Sequence, residues 1–126
     1  MRKTELQRFR KMLLEEKERV TQSLAQHEKI IKHTDEESGL DMVKAHSNHM
    51  ADQGTEAQER EKAAAFATKE GRYLYRLEEA LRRLYADPKN FGMCHTCGSE
   101  VGFERLDALP HARYCIDCKR KEESGG

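Results

Sequence analysis

Four cysteines stand as two pairs, Cys94-x2-Cys97 and Cys115-x2-Cys118, with seventeen residues between the pairs. Each pair can fold as a knuckle that turns two thiolates toward one point. Two knuckles complete the tetrahedral four-sulfur set that zinc prefers. Gly98, directly after Cys97, relieves the tight backbone turn that follows such a knuckle. Two disulfides are the competing reading, and they belong to an oxidising compartment. The opening residues Met1–Arg10 hold no apolar run suited to a signal peptide, and no stretch approaches a membrane-spanning length. A cytosolic address is therefore expected, where paired cysteines more often hold a metal. Redox catalysis through one pair would leave the other without a role. His95 and His111 lie close enough in sequence to substitute as ligands, but four thiolates already fill the shell, so both read as surface histidines. A filled shell has no open position for water or substrate, so the expectation is one structural zinc ion and no enzyme.

The segment that must hold this site, residues 90–126, is poor in apolar anchors: Phe91, Val101, Phe103, Leu106, Leu109, Tyr114 and Ile116. Such a domain needs its ion to fold. Lys119-Arg120-Lys121 after Cys118 suits a short C-terminal helix. The 126-residue chain as a whole is 37% apolar and 37% charged, with no Trp and two Pro. That is enough for narrow helix seams and too little for a thick core.

Residues 1–89 supply the seams. Leu6, Phe9, Leu13, Val20, Leu24 and Ile31 recur mostly at threes and fours, which predicts one apolar stripe on a helix over about 4–33. Thr4 with Gln7 has capping-box spacing at its start. Thr55 with Gln58 repeats that spacing, with Glu56 and Glu59 suited to the positive end of a helix dipole. Ala63, Ala67, Leu74, Leu77, Leu81 and Leu84 then form a heptad-like seam to Asp87-Pro88, where proline ends the helix. Helices over about 4–33 and 55–86, joined by a tip region of about 34–54, predict a mainly α fold: a long antiparallel coiled-coil hairpin on a small four-cysteine zinc-finger domain. Pairing within one chain implies a monomer. In the connection, Thr34 with Glu37 offers another cap, and Leu40, Met42, Val43 and His46 suit a short helix or a continuation of the first. Gly71 is a weak point in the second helix.

Net charge is zero, from 23 basic and 23 acidic residues, but it is unevenly spread. Residues 34–61 carry eight acidic against two basic residues, while residues 1–33 carry nine basic against five acidic. An acidic tip on a mildly basic stalk follows, with no global preference for nucleic acid. Asp52, Glu56 and Glu59 cluster, but acidic residues beside a helix start are ordinarily caps and dipole partners rather than catalysts.

The run Phe91-Gly92-Met93-Cys94-His95-Thr96-Cys97-Gly98, then Glu104-Arg105-Leu106-Asp107-Ala108-Leu109-Pro110 and Ala112-Arg113-Tyr114-Cys115-Ile116-Asp117-Cys118-Lys119, resembles the DksA/TraR family of zinc-finger transcription regulators. The hairpin before it, and Asn48-His49-Met50-Ala51-Asp52-Gln53-Gly54-Thr55 at the tip, fit the same family. The resemblance implies a bacterial, cytoplasmic protein that binds RNA polymerase instead of DNA. Its coiled coil would enter the secondary channel and modulate transcription initiation, often with guanosine tetraphosphate, in the manner of the stringent response. Well-known members place Asp-x-x-Asp-x-Ala at the tip. Here the matching positions are Asp52, Thr55 and Ala57, so the second Asp is replaced by Thr. Gly71, Tyr75 and Glu78 stand where alarmone-responsive members present a more basic face.

Two other readings compete. A zinc-ribbon module could touch nucleic-acid phosphates through Arg105, Arg113, Lys119, Arg120 and Lys121, although residues 94–126 hold five basic against six acidic residues and few stacking aromatics. A structural adaptor could dimerise through the same two seams and would tolerate changes at Asp52 and Thr55.

Overall fold

The computed structural model describes the backbone of residues 1–40 and 50–125, and the side chains of residues 1–33 and 55–125. It is mainly α, in the order α1 (Lys3–Leu40), α2 (Met50–Ala86), α3 (Phe103–Ala108) and α4 (Ile116–Gly125). Among the described residues, β pairing is limited to one antiparallel bridge between Met93 and Glu100.

Both long helices run further toward their connection than the capping patterns suggested. α1 continues through Thr34 to Leu40 instead of ending near His33, and α2 begins at Met50 instead of Thr55. Thr55 therefore lies inside a helix, not at its N-cap position. The physical reason is that a Thr-x-x-Gln or Thr-x-x-Glu spacing marks a helix start only where the helix has no earlier turn to propagate from. Adding residues to an existing helix is easy compared with nucleating one. One internal Gly54, at about 1 kcal/mol relative to Ala, does not stop it. Of the expected tip segment, Met42, Val43 and His46 lie outside the described residues.

The chain divides into two compact units, each built from parts of both long helices. One comprises Met1–Glu18 with Tyr75–Gly126, the other Arg19–Leu74. In the first, Phe9 and Leu13 of α1, Leu77, Ala80, Leu81 and Leu84 of α2, and Phe91, Val101 and Leu106 of the finger are buried. Here the first turns of α1 meet the last turns of α2, where Arg10 Nε donates to the Tyr85 hydroxyl at 3.0 Å. That is the antiparallel arrangement the two seams require. In the second unit Val20 and Ala63 are buried, and the ring of His27 stacks on Phe66 with centroids 5.4 Å apart. His27 Nδ1 also meets the Glu70 carboxylate, so polar and aromatic groups help a thin apolar seam join the helices. Leu6, Leu24, Ile31, Ala67 and Leu74 of the expected seams are only half-buried, while Ala80, not assigned to a seam, is fully buried.

Two glycines make opposite predictions. Gly92 holds φ +88°, and an added Cβ would come within 2.7 Å of Met1 Cε and 3.1 Å of Leu106 Cδ1. The Met1 end can swing away, but Leu106 is buried to 1% exposure and cannot. Gly92→Ala should therefore cost about 1–3 kcal/mol in urea unfolding of the zinc-loaded chain. Gly71, inside α2 with nothing within 4 Å of an added Cβ, should gain about 0.5–1 kcal/mol as Gly71→Ala. A destabilised Gly71→Ala would show that the backbone there is not helical.

Candidate metal centre

The two knuckles are built by short backbone bonds. Gly98 N–H donates to the Cys94 carbonyl at 3.0 Å, and Cys94 N–H donates to the Ser99 carbonyl at 2.7 Å. Together these fold Cys94–Ser99 into a tight loop, which Gly98 permits at φ +74°. The bridge region is closed by Val101 N–H to the Gly92 carbonyl at 2.8 Å. The second knuckle is the entry to α4: Lys119 N–H donates to the Cys115 carbonyl at 3.0 Å, and Cys118 N–H points at Cys115 Sγ at 3.5 Å. His95 N–H donates to the Arg113 carbonyl at 2.9 Å and ties the first loop to the segment leading into the second.

This brings all four sulfurs, of Cys94, Cys97, Cys115 and Cys118, within 4.8 Å of one another, with Cys97 and Cys115 at 3.7 Å. A tetrahedral ion with Zn–S bonds of about 2.3 Å places its sulfurs about 3.8 Å apart, so the cage has the right size. Its electrostatics fit a cation as well. Hydrogen bonds from the backbone of Cys97 and Cys115 pull the Cys94 thiol down to about 6, whereas Cys118, hydrogen-bonded to the Cys115 side chain, is pushed up to about 12. Hydrogen bonds from Ser99 also lower Cys97. With protons alone to compensate them, the four sulfurs must divide into thiolates and thiols. A divalent cation removes that conflict and lets all four ionise. The chain thus holds one zinc ion in a closed four-sulfur shell, which leaves no coordination position for a substrate and makes the ion's role structural.

Sequence reasoning missed three features around the cage. α3 was not foreseen, although Gly102 before it (φ +102°), Glu104 in its first turn and Pro110 beyond its end are the signals that mark it. His95 is exposed, as expected, but Arg83 Nη1 donates to its Nε2 at 3.2 Å. His111 is half-buried rather than a surface residue, and its carbonyl accepts from Arg83 Nη2 at 3.4 Å. Burial, then the nearby Arg83 and Arg113, hold His95 below its ordinary range. His111 is lowered by burial, Arg76 and Arg83. Of the expected tip residues, Asp52, Thr55 and Ala57 all fall in the first two turns of α2. Thr55 and Ala57 are exposed, and the side chain of Asp52 lies outside the described residues.

Residues 89–124 match the family described as prokaryotic dksA/traR C4-type zinc finger. A Haemophilus influenzae protein named RNA polymerase-binding transcription factor DksA is 37% identical over 73 residues, 58% of this chain and 49% of that protein. The Escherichia coli K12 protein of the same name is 38% identical over 55 residues, 44% of this chain and 35% of its own length. Bacillus subtilis YteA, an uncharacterised protein, is 40% identical over 70 residues, 56% of this chain and 28% of that protein. The matched stretches thus span half or less of these relatives. In fold, the chain is similar to transcription factor DksA2 of Pseudomonas aeruginosa, with a TM-score of 0.77 over 98% of this chain and 86% of that one, at 22% identity.

Proposed function

We propose that this chain, a member of the DksA/TraR family by its zinc finger, its sequence relatives and its fold, binds bacterial RNA polymerase directly and regulates transcription initiation in the cytoplasm. The observation that carries the reading is the union, in one chain, of the four-cysteine finger at residues 89–124 with a fold that matches DksA2 over 98% of its length. The named function of the Haemophilus and Escherichia relatives, RNA polymerase binding, supplies the partner. No described helix is long and apolar enough to cross a membrane.

In this reading the chain acts as a monomer whose tip region enters the polymerase secondary channel, and Asp52, Thr55 and Ala57 are the contacts. The eight acidic residues of 34–61 suit a probe entering a protein channel rather than one docking on DNA. Guanosine tetraphosphate, where it acts, would do so at the interface with polymerase.

The test is a binding assay of zinc-loaded protein against bacterial core RNA polymerase, with Asp52→Asn beside it and run-off transcription from a ribosomal-type promoter. Wild type should bind and shift transcription. Asp52→Asn should bind within about twofold of wild type yet lose most of the transcriptional effect, because it removes a charge at the working end and leaves the grip intact. If neither protein binds polymerase the reading fails. Duplex binding that falls steeply with salt would then favour the zinc-ribbon alternative.

A further inference from the structure

Helix α2 sends two side chains, one turn apart, to the two chain segments that carry the cysteine pairs. Glu79 Oε1 accepts from Arg113 Nη1 at 3.2 Å, two residues before Cys115. Arg83 Nη1 donates to Nε2 of His95, the residue after Cys94, and Nη2 reaches the His111 carbonyl. The two α2 residues approach each other, with Arg83 Nε 3.9 Å from Glu79 Oε1. His95 N–H donates to the Arg113 carbonyl at 2.9 Å, which closes the path from α2 through the first knuckle to the second and back.

These groups are not ordinary surface charges. The side chains of Glu79 and Arg83 are 23% and 22% exposed, and Arg83 Nε is buried without a hydrogen-bond partner. Burial pulls the Arg83 pKa down, the mark of a cation held where water screens it poorly. A desolvated charge of this kind is a weak device for raw stability but a strong one for fixing a geometry. Four thiolates around a divalent ion leave two negative charges; Arg113 lies on the segment that leads into Cys115, and Arg83 reaches from α2 to His95 beside Cys94.

We propose that Glu79 and Arg83 are positioning residues for the zinc site, bracing both knuckles against α2 and so setting how long the ion is held. Zinc leaves such a cage when one knuckle opens locally and its two sulfurs separate from the other pair. A brace that holds both knuckles to one rigid helix suppresses that opening. The inference does not rest on polymerase binding.

The experiment follows zinc release from the zinc-loaded full chain into a colorimetric chelator. The variants are Arg83→Met, Arg83→Lys, Glu79→Gln and Arg72→Met, the last an exposed α2 arginine outside the brace. Arg83→Met should release zinc about tenfold faster, and Glu79→Gln about threefold faster. Arg83→Lys should restore only part of the loss, because a single ammonium cannot span His95 and the His111 carbonyl as a guanidinium fork does. The Arg83→Met/Glu79→Gln double variant should release no faster than the product of the two, and less if the pair acts as one unit. Cobalt-substituted forms of all variants should keep the tetrahedral four-sulfur spectrum, which shows the cage intact. The proposal is overturned if Arg83→Met and Glu79→Gln stay within twofold of wild type, or if Arg72→Met accelerates release equally. Glu79→Gln, nearly isosteric, keeps the test decisive if Arg83→Met folds poorly.

Discussion

Removing the zinc should melt residues 89–124 while the Arg19–Leu74 unit keeps its helices. The expectation follows from what the finger has besides the ion. Besides the cysteines and Pro110, its buried apolar side chains are Phe91, Val101 and Leu106, at 4%, 7% and 1% exposure. Together they contribute on the order of 5–9 kcal/mol. Ordering the backbone of a segment this long costs about 1–2 kcal/mol per residue, so those side chains cannot hold it alone. Structural zinc in comparable fingers supplies about 10–16 kcal/mol, more than the finger's buried apolar side chains do. α3 and α4 have six and ten residues against 38 and 37 in α1 and α2. Chelation should therefore lower the far-UV helical signal by roughly a sixth if only the finger melts, and by more if the helix ends packed on it fray. Cys115→Ser, which replaces a buried ligand, should do the same and reduce zinc from one ion per chain to a small fraction of that. A Cys115→Ser chain that keeps stoichiometric zinc and an unchanged spectrum would refute a four-sulfur structural site.

How much of this could be read from the residues depends on how local the signal is. The cage was legible because a CxxC pair encodes its own geometry within four residues, and two such pairs match the four-sulfur set of one ion. Phe9, Leu13, Leu77, Leu81 and Leu84 were legible because a helix period repeats over many turns. The helix ends near Leu40 and Met50 were not, because a capping box is a local pattern that an extending helix can overrun. Ala80 escaped the seam because a small side chain is equally at home in the core or in water. The brace from Glu79 and Arg83 was invisible for a different reason. Charged residues beside a seam look like solvated flanks until the finger that follows α2 packs back over them. The same tertiary contact turns His111 from an expected surface histidine into a half-buried one.

That packing has its own test at Phe9. Phe9 is fully buried, with its ring centroid 6.3 Å from Phe91 and 5.4 Å from Phe103 at interplanar angles of 44° and 58°. The tilted geometry suits the quadrupoles of aromatic rings, which adds about 0.5–1.5 kcal/mol per pair to simple burial. Outside the cluster, Arg8 lies over the Phe103 ring at 5.1 Å and also pairs with Asp107 on α3, so one turn of α1 grips the finger with both an apolar and a charged residue. The ion pair is exposed and contributes little by itself. Phe9→Ala should therefore dominate, lowering stability in urea by about 3–5 kcal/mol through lost burial and a cavity that rigid neighbours cannot close. Phe9→Leu should cost less, about 1–2 kcal/mol, because it refills most of the volume. Leu14→Ala, five residues further on α1 but 41% exposed, should stay within about 1 kcal/mol of wild type. The zinc-loaded state is the right one to measure, since the four-sulfur cage holds the finger folded and the change then reports its attachment to α1. If Phe9→Ala cost no more than Leu14→Ala, the start of α1 would not be part of the finger's core. A large loss at Phe9 with zinc still bound would instead show that the ion fixes the finger's own fold, while an aromatic cluster fixes its seat on the helices.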